Sequence, residues 1–522
     1  MKPKSLDTIT LFAVVFAVFL GGVVRFYPVL ISNFPLNDGG LFYQMTQDVL
    51  EHNFSLPIYT SYNGNEIPFG YPPLALYLMA FIQRFIHIGI IDQLHYLPAL
   101  FSTLCIPAFY ILSKSVTGSK EKSTFAVFAF ALMPRSYLWS VMGGGITRSL
   151  GLLFGILSLL FVWEMFKRPK FPILLLSILG CSLTALSHPE ITWFVFITSL
   201  LIGIRYGLNK KGILYAGITI LGILFLTSPW WIEIIQRYGV SLLFNTAQTG
   251  GLFSVPIILF YFTQEPFITI LAVVALLGLF AELVRRRFFL FIWMLLIFIL
   301  TPRSAETFAT IPGCMLFGSG VVWVLVPGLL SYAKQIPEDD QPLGQILKER
   351  ISKLTLGYIL ILALFAAMAI PYLGYSETSA LSQYDQQAME WISQNTTVSS
   401  QFTVLTGKQY WFTDTTSEWF PALTKRISVS TVQGSEWLPD DEFAMHVERY
   451  TLLQNCAEKD FSCVFAWSRN TNISFSYLYA TKRTRGDQGL TQPAVNSEMT
   501  SDQLQLVFDN PGVSIYKIID HP

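Results

Sequence analysis

The sequence predicts a mainly α-helical, polytopic membrane bundle of about eleven spans over residues 1–375, followed by an extracytoplasmic mixed α/β domain over residues 376–522. Three observations predict it. Of 522 residues, 52% are hydrophobic and only 13% charged, where a soluble domain carries roughly a quarter charged. Mostly apolar stretches of about 18 residues recur through the first two thirds, long enough to cross a hydrocarbon core about 30 Å thick. After residue 375 the chain turns to Ser, Thr, Gln and Asn with scattered aromatics, over a length sufficient for one domain.

The first apolar stretch, residues 9–31, follows Lys2 and Lys4. It is longer than the apolar region of a signal peptide, and no small-residue cleavage site precedes Arg25 and Pro28, so it is read as a retained span. Further spans are read at residues 96–113, 123–141, 147–166, 171–187, 190–206, 213–232, 266–283, 288–301, 306–330 and 354–373. They are read as helices because only a helix satisfies all its backbone groups within its own segment in lipid. Basic clusters orient them: Lys114 with Lys120 and Lys122, Lys167 to Lys170, Arg205 to Lys211, Arg285 to Arg287, and Lys334 to Lys353. All fall on one side if the N-terminus is cytoplasmic. Counting residues 71–90 as a crossing would invert every later loop. With Gln83, Arg84 and His87 inside it, that segment is read as a helix lying along the outer face. The outer loop 32–95 and the tail then lie outside the cytoplasm, in a multi-pass cell-membrane protein. In the tail, a helix is expected around Asp385 to Gln394, with strands in alternating runs such as Phe402-Thr-Val-Leu. Cys105, Cys181 and Cys314 fall in apolar spans and read as small hydrophobes. Cys456 and Cys463 fall in the tail, where an oxidising environment favours a disulfide between them.

A zero formal net charge gives no reason to expect a nucleic acid or another polyanion as a general ligand. The informative polar residues are those at the outer helix mouths: Asp38, Arg148, His188, Glu190, Arg303 and Glu306. Asp38 lies in Phe34-Pro-Leu-Asn-Asp-Gly-Gly-Leu-Phe-Tyr, before an amphipathic helix whose apolar face is Leu41, Phe42, Met45 and Val49. It has two readings: Asp38 or Asn37 is that helix's N-cap, or Asp38 is a general base for an acceptor hydroxyl. In Ser187-His-Pro-Glu, Ser187 and Glu190 have capping-box spacing and Pro189 suits a first turn. His188 could bind substrate by a hydrogen bond, or join Asp38 and Glu190 around a divalent cation. Arg148, in Gly143-Gly-Gly-Ile-Thr-Arg-Ser, and Arg303, in Thr301-Pro-Arg-Ser-Ala-Glu, break the charge pattern. A guanidinium fork matched to a phosphate would account for that.

Together these residues resemble the GT-C superfamily of membrane glycosyltransferases, which includes protein O-mannosyltransferases, the lipid A aminoarabinose transferase and oligosaccharyltransferases. The resemblance covers the layout of residues 1–330. It is carried by Asn37-Asp38 in the first outer loop, Phe69-Gly-Tyr-Pro-Pro-Leu heading the juxtamembrane helix, the His188-Pro at a helix mouth and the late Pro302-Arg-Ser. In the tail, Ser417-Glu-Trp-Phe-Pro-Ala-Leu-Thr and Gln433-Gly-Ser-Glu-Trp-Leu-Pro look like segments of uncharacterised members. The resemblance implies a GT-C-like fold and transfer of a sugar from a polyprenyl-phosphate donor to a glycan, lipid or protein acceptor at the outer face. Asp38 would be the catalytic base. An outer arginine, Arg303 or Arg148, would hold the lipid phosphate, with His188, Glu190 and Tyr71 among the substrate-binding residues. The single Asp followed by Gly-Gly leaves a divalent cation undecided. Trp230-Trp231 is followed by Ile232-Glu233, not by the Asp of the oligosaccharyltransferase tripeptide, which argues against transfer of whole oligosaccharides to Asn.

Two other function classes are weighed. A transporter or flippase of lipid-linked sugars would show inverted repeats and broken helices at mid-membrane, and neither is visible. A non-catalytic scaffold displaying the tail would not need polar helix mouths. The tail aromatics Trp411, Phe412, Trp419, Phe420 and Trp437 are expected mostly in its core. The tail is expected to cover the outer cavity, so that its removal abolishes transfer but spares donor binding.

Overall fold

The computed structural model describes residues 8–64, 66–240, 242, 262–301, 304–332, 349–438, 442–459, 461–482 and 503–519. The membrane part runs through α1 (Thr8–Leu30), α2 (Gly40–Glu51), the short pair β1 (Tyr59–Thr60) and β2 (Ile67–Pro68), α3 (Leu74–Phe81), α4 (Ile90–Thr117) and α5 (Lys120–Leu132). It continues through α6 (Leu138–Val141), α7 (Gly145–Lys167), α8 (Phe171–Ala185), α9 (Pro189–Tyr206) and α10 (Lys210–Tyr238). It ends with α11 (Ile270–Val284), α12 (Phe289–Leu300), α13 (Ala305–Tyr332) and α14 (Arg350–Tyr372).

Six of these, α1, α4, α7, α10, α13 and α14, are long and apolar enough to cross a membrane. Three of the other expected spans are helical but shorter: α8 and α11 have 15 residues and α12 has 12. At 1.5 Å per residue that is about 18–22 Å, less than a full hydrocarbon core of about 30 Å. Side chains such as Phe12, Phe19, Leu221, Phe225 and Phe365 are apolar and exposed, as lipid contact requires.

Residues 123–141 do not form the single helix expected from their hydropathy. α5 stops at Leu132, Pro134 opens a 3₁₀ turn, and α6 follows. Proline cannot continue the hydrogen-bond ladder, and the carbonyls left free at the end of α5 find a partner inside the bundle. Arg25 of α1 is fully buried and donates to Ala131 O at 2.6 Å, Phe130 O at 3.2 Å and Ser102 Oγ of α4 at 3.0 Å. One guanidinium therefore pins α1, α4 and α5 where the chain breaks. The juxtamembrane segment is helical over Leu74–Ile86, with a π-helical end, and stops at left-handed His87 (φ 67°). At about 20 Å it is comparable in length to α8, α11 and α12.

The tail contains α15 (Gln383–Asn395), β3 (Gln401–Leu405), α16 (Thr415–Thr424), β4 (Ile427–Ser428), α17 (Glu442–Gln454) and α18 (Phe461–Thr471). Strands β5 (Tyr477–Thr481), β6 (Leu504–Asp509) and β7 (Val513–Ile518) complete a mixed five-stranded sheet, in the order β4-β3-β5-β7-β6. β3 runs parallel to β4 and β5, and β7 antiparallel to β5 and β6. Alternation along the strands serves two cores. Phe402, Val404, Tyr479 and Ile515 face α15 and α16, whereas Leu405, Leu478, Ala480 and Tyr516 face α17 and α18. Cys456 and Cys463 form a disulfide in the second core, and Cys105, Cys181 and Cys314 are buried free thiols. The first core does not end at the tail. It continues through Trp419, Phe420 and Trp437 into Leu41, Phe42, Met45 and Val49 of α2 and Ala75, Leu76 and Met79 of α3.

Candidate active site

The amphipathic face predicted for α2 is buried, which draws its N-terminal end, and Asp38 just before it, under the tail. Asn37 and Gly39 have positive φ, 48° and 136°. The N-cap position is Gly39 and no side chain of the loop itself caps α2, so the capping reading of Asp38 and Asn37 does not hold. The Asp38 carboxylate, in a residue only 6% exposed, is turned to α7 instead. Its Oδ1 accepts the Gly144 N–H at 2.8 Å and its Oδ2 accepts from Arg148 Nη2 at 2.8 Å. A Cβ at Gly144 would stand 2.7 Å from Oδ2, so this approach of carboxylate to helix start needs glycine. The N-terminal end of α7 favours a negative charge there. Each carboxylate oxygen can accept a further hydrogen bond, so Asp38 can still receive a substrate hydroxyl. Arg148 also donates to Trp139 O at 2.9 Å and lies over the Trp139 ring at 5.3 Å.

The partner that caps α2 comes from the tail. Glu418 Oε1 accepts the N–H groups of Gly39 at 2.8 Å and Gly40 at 3.1 Å. Next to it, Trp419 Nε1 donates to Asn37 O at 3.0 Å, and the Trp419 ring packs edge-on to Phe34 at 4.7 Å. Asn37 N–H donates to Ser379 O at 2.6 Å. Helix α16 presents Glu418 because Asp414 caps it, accepting the Ser417 N–H at 3.1 Å. Asp414 is held in turn by Thr406 Oγ1 at 2.6 Å and the Tyr450 hydroxyl at 2.8 Å. Burial pushes Glu418 well above the usual carboxylate range, and the Asp38 charge adds to it, against the pull of the Gly39 N–H.

Tyr71 joins this group. Its hydroxyl is 3.1 Å from Thr147 Oγ1, beside Arg148, and its ring packs against Phe42, Trp437 and His188 at centroid distances of 4.9, 5.7 and 6.2 Å. His188 is the N-cap of α9 and packs against Gly151 of α7; Pro189 is the first helical residue, as expected. The capping box read at Ser187 and Glu190 does not form. Ser187 Oγ donates back to Leu183 O at 2.7 Å, and Glu190 accepts from the Ser304 hydroxyl. Glu306 pairs with Arg135 at 2.5 Å. Arg303 lies outside the described residues. The structure thus gathers Asp38, Arg148, Tyr71 and His188; Glu190 accepts from Ser304 and lies close enough for its charge to act on Arg148, while Glu306 is paired with Arg135. No three of His, Cys, Asp and Glu among the described residues converge as a metal site, so Asp38, His188 and Glu190 do not form the set considered from sequence. A cavity of about 330 Å³ lined by Asn53, Phe54, Gln83, Arg84 and His87 opens at the far end of α2 from Asp38.

Sequence reasoning missed Glu418 and Arg135. Glu418 sits in a segment singled out by resemblance, yet nothing local marks a glutamate that caps a helix 378 residues away. Arg135 was hidden inside a segment read as a span, and Pro134 beside it was the signal that the span breaks.

No protein-family model matches the sequence, and no curated protein matches it. Solved structures do. The oligosaccharyltransferase of Archaeoglobus fulgidus, solved in complex with zinc and sulfate, matches 90% of this chain and 68% of its own, with a TM-score of 0.54 at 13% identity. The arabinofuranosyltransferase AftD from Mycobacteria matches over 97% of this chain, which spans only 40% of AftD, with a TM-score of 0.59 at 15% identity. ArnT from Cupriavidus metallidurans, solved bound to undecaprenyl phosphate, matches 96% of this chain and 97% of its own, with a TM-score of 0.54 at 14% identity. Over nearly its whole length, the chain has the fold of the GT-C membrane glycosyltransferases.

Proposed function

We propose that this protein transfers a sugar from a polyprenyl-phosphate-linked donor to an acceptor at the outer membrane face, with Asp38 as general base. The observation that carries the reading is the buried Asp38 carboxylate, held by Arg148 and the Gly144 N–H in a chain with the GT-C fold. In the reaction, the acceptor hydroxyl gives its proton to Asp38 as its oxygen bonds to the anomeric carbon. The bond from that carbon to the phosphate oxygen breaks, and the polyprenyl phosphate leaves with the electron pair. Tyr71, His188 and Glu190 would line the path of sugar and acceptor, and Arg303 or Arg148 would hold the phosphate.

This reading places the N-terminus in the cytoplasm and about eleven helices across the membrane, the short ones included. It divides the chain into a catalytic membrane module, residues 1–375, and an external module, residues 376–522. The Cys456–Cys463 disulfide supports an oxidising location for the latter. The test uses purified full-length protein in lipid nanodiscs. Undecaprenyl phosphate should bind, and labelled polyprenyl-phosphate sugars should lose their sugar in the wild type but not in Asp38→Asn. Equal release by both proteins, or transbilayer movement of the intact donor without release, would overturn it.

A further inference from the structure

We infer that Glu418 is a positioning residue for Asp38: its carboxyl oxygen, supplied by the tail, holds the Gly39–Gly40 backbone and so fixes where the Asp38 carboxylate points. The inference deepens the reading of Asp38 as base and rests on it for its functional consequence. The geometry itself does not.

The first N–H groups of any helix lack partners within the helix, and those of α2 adjoin a loop of unusual backbone. Asn37 and Gly39 flank Asp38 with φ of 48° and 136°. A loop of this kind, next to two glycines, would not hold one conformation unaided. On the α7 side it is held by the Gly143 N–H on Leu36 O at 2.8 Å and the Gly144 N–H on Asp38 O at 3.2 Å; on the other side the tail supplies Glu418 Oε1 to Gly39 and Gly40, Trp419 Nε1 to Asn37 O, and Ser379 O to the Asn37 N–H. The fit is close enough that a Cβ at Gly40 would meet Glu418 O at 2.6 Å. Glu418 O is itself held at 2.6 Å by the Tyr62 hydroxyl, so the clamp is braced from the outer loop as well.

The chemistry of the clamp is that of an acceptor. One oxygen, Oε1, takes both N–H groups, and a neutral carboxylic acid supplies such an oxygen as its carbonyl. A second negative charge beside Asp38 would oppose it. The other charged or titratable groups around Glu418 are Glu436, Arg148 and Tyr62, and burial favours the neutral acid. Glutamine offers the same carbonyl at the same reach, and alanine offers nothing.

The experiment measures amide hydrogen exchange over residues 36–45 in full-length protein in nanodiscs. In the wild type, the Gly39 and Gly40 amides should be among the slowest in the loop, and fast exchange there would overturn the clamp without any variant. Glu418→Ala should speed their exchange tenfold or more, and Glu418→Gln should restore it. Donor turnover should follow the same order, while undecaprenyl phosphate affinity stays unchanged in all three. Wild-type exchange in Glu418→Ala, or exchange in Glu418→Gln as fast as in Glu418→Ala, overturns the inference. A wild type that does not bind undecaprenyl phosphate would instead overturn the transferase reading, leaving the clamp to be judged on exchange.

Discussion

Arg148 Nη2 lies 2.8 Å from Asp38 Oδ2, joining the first outer loop to the start of α7 across 110 residues of sequence. The pair holds the proposed base at a helix N-terminus, and its loss can be separated from loss of chemistry. Asp38→Asn keeps an acceptor for the Gly144 N–H but can neither take a proton nor pair with the guanidinium. Turnover should fall by a factor on the order of 10² or more. Stability should fall by only about 1 kcal/mol, since Arg148 is partly solvated, and undecaprenyl phosphate binding should persist. Turnover assays, thermal unfolding and lipid binding on the one variant check all three. Wild-type turnover would leave Asp38 a structural role only.

The shared core changes what a truncation would do. Trp419 is fully buried in the cluster that also holds Leu41, Phe42 and Met45 of α2. Removing residues 376–522 would expose that apolar face along with the loop it supports. The expected product aggregates on size-exclusion chromatography and loses undecaprenyl phosphate binding, instead of sparing it as a separable tail would. Trp419→Ala should show a milder form, with about 3–5 kcal/mol of stability lost. A monodisperse truncated protein with wild-type lipid binding would contradict this.

The helical character of every expected span was legible in hydropathy, because apolar runs of that length have few other solutions. So was the buried face of α2, from the spacing of Leu41, Phe42, Met45 and Val49. The break after Leu132 was not legible, although Pro134 marked it, because apolar residues continue on both sides of the proline. The capping reading of Asp38 failed for a different reason. Local spacing reports what a side chain can do within one turn, whereas Gly144, Arg148 and Glu418 compete for the same loop from more than 100 residues away. Sequence also had no means to show that Glu306, which adjoins Arg303, is bound to Arg135.

Glu265 gives the protein a pH dependence that can be checked. It accepts the Leu271 and Ala272 N–H groups at the start of α11, at 3.0 and 3.2 Å. Burial outweighs these bonds and pushes it up to about 7 from 4.5. A carboxyl raised on folding contributes stability that is fully present below pH 4.5 and is lost as pH rises through 7, here roughly 3 kcal/mol at most. Glu265→Gln should therefore flatten the fall in apparent melting temperature between pH 4.5 and 7.5. Asp385 and Asp414, also raised by burial, act in the same direction and remain in the variant. An unchanged slope would show that Glu265 ionises without cost in the folded protein.

A polyprenyl phosphate keeps its chain in lipid and its phosphate at headgroup depth, so its ligand must be a cation at an outer helix mouth. Arg148 is already engaged by Asp38 and Trp139 O. Helix α13 begins at Ala305, two residues after Arg303, and its N-terminal N–H groups and dipole favour an anion at that end. Arg303→Lys, which keeps the charge and loses the fork, should weaken undecaprenyl phosphate binding about tenfold, and Arg303→Ala more. Titration of the lipid into nanodisc-held protein decides it. Unchanged affinity in both variants would leave Arg148 as the phosphate ligand; because Arg148 also pairs with Asp38, donor binding and the position of the base would then depend on the same guanidinium.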